Sequence, residues 1–191
     1  MLAQSIFSAA LFASAVVAHP AGILGARDLA TITGVLNGIA ADLTAVQTAV
    51  DAFTGAEAEA EGVQTASEKL IADLTAGAAT VAATGEISLT DALGLVPTSN
   101  SLNAAANATV TALIGKKPQF DALGQTETVA ASLVAQKEGS TALLEAVADK
   151  GPESIRNVAA QQGAPLYAAL DAGIAAFGGA PEAPAKLRAM F

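Results

Sequence analysis

The sequence predicts an all-α protein, an antiparallel bundle of about five amphipathic helices. Three observations carry that prediction. Apolar residues recur at spacings of three and four along most of the chain, and nowhere alternate as a strand would require. Alanine makes up about a quarter of the 191 residues, a composition that favours helix. Cysteine is absent, so a chain of this length is held by packing alone, which suits a bundle with a sizeable core.

Residues 1–18 (MLAQSIFSAALFASAVVA) carry no charged side chain and end in Ala-Val-Val-Ala. Small residues at the two positions that signal peptidase reads predict a secretory signal cleaved after Ala18, and the apolar run is short for a membrane span. Residues 19–27 read as a short lead-in or propeptide, with Arg27 a weak second processing signal. The bundle domain is expected over 28–177. Its first helix begins near Asp28, where Ile32, Val35, Ile39, Leu43, Val46, Val50 and Phe53 form one stripe. After Gly55 a second helix carries Val63, Leu70, Ile71, Leu74, Ala78 and Val81. Glu57, Glu59 and Glu61 crowd its first turns, where the helix dipole favours negative charge. A short helix over 88–95 has Ser88 as N-cap and is ended by Pro97. A third long helix, over about 98–115, places Leu102, Ala106, Val110 and Leu113 on one side. Pro118 opens a fourth, through Phe120, Leu123, Val129, Leu133, Leu144 and Val147, with Gly139 a place to bend or split. A fifth starts near Glu153. Pro165 lacks an N–H and should kink or divide it, and Leu166, Leu170, Ile174 and Phe177 share a face beyond. Residues 178–191, rich in Pro, Gly and Ala, are expected as a loose tail.

Chemistry is hard to build from these residues. The net charge is −9 and Lys116-Lys117 is the only basic pair, which argues against nucleic acid and anionic membranes as partners. The absence of tryptophan leaves little for stacking on sugars or bases. His19 is the sole histidine, so no Ser-His-Asp triad, Cys-His pair or two-histidine metal site can form within the bundle. Carboxylate pairs such as Glu57 with Glu61 read as a solvated helix end. No enzyme activity, cofactor, metal or transmembrane segment is expected. Asn107-Ala108-Thr109 is an N-glycosylation sequon, meaningful in a secreted chain.

Glycines within the helices (Gly34, Gly38, Gly62, Gly77, Gly173) each cost roughly 1 kcal/mol relative to Ala. They allow either close helix approach or a thin-walled interior. If a cavity exists, Ile39, Leu43, Val46, Leu70, Leu74, Leu133, Leu166 and Leu170, the central positions of the best stripes, are its candidate lining. The pattern alone fits simple core better.

The layout resembles the fungal hydrophobic surface-binding protein A family, which includes cell wall galactomannoproteins. The likeness rests on the order of several stretches: Arg27-Asp28-Leu29-Ala30-Thr31-Ile32 with Val35-Leu36-Asn37-Gly38-Ile39 and the run 43–50 (LTAVQTAV); Leu70-Ile71; Ser88-Leu89-Thr90-Asp91-Ala92; Thr111-Ala112-Leu113-Ile114 ahead of Lys117-Pro118-Gln119-Phe120; and Leu170-Asp171-Ala172-Gly173-Ile174. It implies a secreted or wall-associated helical bundle that attaches to hydrophobic surfaces, takes a fatty acid or other apolar ligand, and in some members helps recruit a secreted esterase. It transfers no ligand-contact residue. The expected function is a secreted, non-enzymatic lipid- or hydrophobic-surface-binding protein. The alternatives are a structural, antigenic wall mannoprotein and an effector that binds a protein partner.

Overall fold

The computed structural model describes residues 21–179, with side chains from residue 27 onward. The expected signal peptide (1–18), residues 19–20 of the lead-in and residues 180–191 of the tail lie outside the described residues. Seven helices follow one another: α1 (Ala21–Ala52), α2 (Glu57–Ala82), α3 (Leu89–Gly94), α4 (Val96–Gly115), α5 (Lys117–Ala122), α6 (Thr126–Lys150) and α7 (Glu153–Ala176). The described residues contain no strand. Five of the helices are long and form the bundle; α3 and α5 are six-residue connectors at its two ends.

The long helices run alternately down and up in chain order, and each packs chiefly against two others. Together they close a ring in the order α1, α2, α6, α7, α4 and back to α1. An odd-membered ring cannot alternate throughout. Thus α1 and α4, α4 and α7, and α2 and α6 run parallel, whereas α1–α2 and α6–α7 are antiparallel hairpins. Close approaches across the seams fix this register: Val35 faces Gly77 while Asp42 reaches Lys69, and Leu144 faces Gly163 while Lys137 reaches Asp171. The inward stripes are those the periodicity marks, from Ile32 to Phe53 on α1 and from Ala60 to Val81 on α2.

The two ends are built differently. At the lower end Phe53, Phe120 and Phe177 are all buried, with ring centroids 4.4 Å apart for Phe53–Phe120 and 6.1 Å for Phe120–Phe177. Lys116 Nζ donates to the Phe53 carbonyl at 2.6 Å, where the C-terminus of α1 leaves acceptors unfilled. At the upper end Lys150 Nζ donates to the Ala82 carbonyl at 2.7 Å, and the Ile87 N–H donates to the Lys150 carbonyl at 2.8 Å. Leu89 and Leu93, one turn apart on α3, stay about half exposed there.

Several boundaries depart from the sequence reading. Helix α1 begins at Ala21, seven residues before Asp28, so part of the expected lead-in is helical. The fourth predicted helix is two. Gly124 adopts φ +67°, its N–H donates to Asp121 and that of Gln125 to Phe120, a left-handed cap that ends α5 before α6 begins. Pro97 does not end α3 but sits in the first turn of α4, where its missing N–H costs nothing. Gly139 does not split α6. A Cβ there would stand 3.0 Å from the Leu74 Cβ, so this glycine serves the α2–α6 contact. Pro165 lies inside a continuous α7. Arg27–Ala52 is apolar and long enough by composition to cross a membrane. Here its stripe faces the ring, and Asp42 within it pairs with Lys69 at 2.5 Å.

Candidate functional site

Five helices in a ring leave an axis that leucines alone do not fill. A cavity of about 90 Å³ lies along the upper part of that axis and is open to solvent on one side. Every wall of the ring contributes: Leu36, Ile39 and Leu43 from α1, Leu70 and Leu74 from α2, and Ser99, Leu102, Asn103, Ala106, Thr109 and Val110 from α4. Helix α6 adds Gln136, Ser140, Leu143, Leu144 and Val147, and α7 adds Gln162, Gly163, Leu166 and Leu170. No aromatic or ionisable side chain is among these residues. The α1 and α2 side is fully buried and forms the floor. Ser99, Leu102, Asn103, Ser140, Leu144, Val147, Gln162 and Leu166 are half-buried, which places the mouth where α4, α6 and α7 meet.

The mouth coincides with the weakest turn of α7. Pro165 cannot donate to the Gln161 carbonyl, and the next carbonyl, that of Gln162, accepts from Asn103 Nδ2 at 2.6 Å across the α4–α7 seam. Gly163 lets Leu144 lie against the α7 backbone, where a Cβ would collide with it. The Thr109 hydroxyl, 2 % exposed, donates to the Ala105 carbonyl at 2.9 Å within its own helix. Gln136 is 5 % exposed and on the wall.

Charges are held away from the wall in pairs. Asp42 Oδ1 and Asp73 Oδ2 both accept from Lys69 Nζ, at 2.5 and 2.7 Å. Those hydrogen bonds push the Lys69 ammonium up to about 12 and hold the Asp73 carboxyl below its usual range. Asp42 is buried, and its Oδ2 has no hydrogen-bond partner among the described residues. Lys137, also buried, donates to Asp171 Oδ1 at 2.6 Å between α6 and α7.

Of the eight positions singled out from the sequence, Ile39, Leu43, Leu70, Leu74, Leu166 and Leu170 lie on the cavity wall. Val46 and Leu133 do not. Both are buried below its floor, Leu133 where Gly173 admits it beside Val110. Asn107 sits exposed on the outer face of α4. Sequence reasoning missed the α4 wall and the polar positions of α6. A signal was present: Gln136 and Ser140 occupy inward positions on the helical period between Leu133 and Leu144, where a dense core would carry leucine.

The model of hydrophobic surface binding protein A matches residues 29–149. The chain belongs to this family. It is 34% identical over 148 residues to cell wall mannoprotein 1 of Aspergillus fumigatus, covering 78% of this chain and 51% of that protein. Its identity to cell wall mannoprotein 1 of Aspergillus flavus is 30% over 145 residues, 76% and 52% of the two lengths. The chain thus spans about half the length of these mannoproteins. The fold is similar to ligand binding domain 1 of Penicillium marneffei MP1 protein complexed with arachidonic acids, with a TM-score of 0.76 and 29% identity over 80% of this chain and 99% of that one. It is also similar to AFMP4P in complex with palmitic acid, with a TM-score of 0.75 and 26% identity over 78% and 99% of the chains. The match to the hydrophobic surface binding protein A model stops before α7, which supplies four residues of the wall.

Proposed function

We propose that this protein binds a long-chain acyl lipid, such as a fatty acid, in the cavity at the centre of its helical ring, and does so outside the cell or at the cell wall. The observation that carries the reading is the wall itself, built from all five long helices and mostly aliphatic. Burial of acyl surface there contributes about 25 cal/mol per Å². The cavity has room for roughly six to nine water-sized groups, less than a palmitic-acid chain needs. A bound chain therefore widens the ring or runs out through its mouth. The fatty acids in the two related structures support this ligand class. A signal peptide over 1–18 and a glycan on exposed Asn107 fit the same extracellular setting. The role is binding rather than catalysis.

Native mass spectrometry with lipid extraction, on protein secreted from a fungal host, tests the reading. The expected result is one or more acyl lipids bound stoichiometrically, with occupancy lost in Leu166→Trp, which blocks the mouth from a half-buried position while leaving the fold intact by circular dichroism. A clean apo mass that also takes up no added palmitic acid would rule the cavity out as a lipid site.

A further inference from the structure

The cavity wall is polar in places but nowhere charged. Its polar side chains are hydroxyls and carboxamides, with Gln136 the most deeply buried of the carboxamides. We propose that the cavity selects acyl chains whose head group is uncharged, a protonated acid, an alcohol or an ester, with Gln136 and Ser140 as its hydrogen-bonding anchor. This rests on the lipid-binding reading above and adds the class of head group.

The argument is one of desolvation. An ionised carboxylate drawn into an apolar, low-dielectric cavity loses its hydration and needs a counter-charge. The structure offers none at the wall. On α6 itself Lys137 is committed to Asp171 of α7, and Glu138 is exposed. From α2, Lys69 is held between Asp73 and Asp42 of α1. From α7, Tyr167 is raised above its usual range chiefly by burial, with Glu145 beside it adding to the shift. Helix α4, across the mouth, has no ionisable side chain over its whole length. A carboxamide both donates and accepts, so Gln136 can pair with a hydroxyl or a protonated carboxyl equally well. A carboxylate next to it would gain the Gln136 and Ser140 donors but no counter-charge.

The test compares dodecanoic acid with 1-dodecanol, by calorimetric titration of the secreted protein from pH 5 to pH 8. The expected result is an acid whose Kd rises about tenfold per pH unit above its aqueous pKa, because only the protonated form enters. The alcohol should show a flat profile, which also reports that the fold persists across the range. In Gln136→Leu both ligands should weaken by about two- to tenfold with the pH contrast retained. An acid as tight at pH 8 as at pH 5 would overturn the proposal, since the carboxylate would then bind ionised. Unchanged affinities in Gln136→Leu would remove Gln136 as the anchor. Failure of both ligands at every pH would instead take down the lipid-binding reading itself.

Discussion

At the scale of single residues, glycines in this bundle do opposite things, and the difference lies in what stands opposite them. A Cβ on Gly173 would stand 2.8 Å from Val110 Cγ1 and 3.0 Å from Leu133 Cδ1, whereas Gly38 on α1 has nothing within 4 Å. Gly173→Ala is therefore expected to destabilise, overpacking of about 1–3 kcal/mol outweighing up to about 1 kcal/mol of helix propensity. Gly38→Ala is expected to stabilise by about 0.5–1 kcal/mol. Urea midpoints of the two variants decide it, and a shift of the same sign in both would refute the packing account. None of this was legible in the sequence, where the two glycines look alike. The inward apolar stripes were legible, because the helical period depends only on spacing. The cavity was not, since an aliphatic wall and an aliphatic core share one pattern. Polar side chains at inward positions, Gln136 and Ser140 on α6 and Thr109 on α4, are what distinguish them.

At the scale of elements, the junctions decide how the helices meet. The α1–α2 turn is held by Glu59, whose carboxylate accepts from the Thr54 N–H at 2.7 Å, the Thr54 hydroxyl at 2.9 Å and the Ala56 N–H at 3.3 Å. The Thr54 backbone bond, then its hydroxyl, holds this carboxyl below its ordinary 4.5. A depressed carboxyl contributes stability that is complete above the unfolded pKa and is lost as pH falls through the folded one. Glu59→Gln should thus be less stable than the parent at pH 7, with the gap closing below pH 4.5. Thermal melts at pH 7 and pH 3 check this, and a gap independent of pH would contradict it. Asp121, held down by Lys117, and Asp73, held down by Lys69, titrate in the same direction. Ser88, with its hydroxyl 3.1 Å from the Asp91 N–H, was readable as a cap because capping is local. The break at Gly124 escaped notice because apolar spacing runs on across it. The division of the helix at Pro165 does not occur, because α7, backed by α4 and α6, continues through one missing hydrogen bond.

At the scale of the whole molecule, the proposed lipid binding and the folding of the ring become one equilibrium. A lipid that fills the axis binds only the closed bundle, so at a free concentration of 100 times its Kd it adds about 2.7 kcal/mol of stability. For a domain of this size, that predicts a rise in Tm of about 5–11 °C. Scanning calorimetry with and without palmitic acid measures it, and an unchanged Tm at saturation would mean the lipid sits outside the ring. The order of the ring has a further consequence for synthesis. Helix α7 is the last of the five ring helices to be made and lies between α6 and α4, so until it arrives the ring lacks one wall. A nascent chain paused after α6 exposes the greasy inside of an open trough, and no shorter piece of the chain can close it. This helix acts as a keystone, and a chain cut short of it is left with an open wall where the cavity should close.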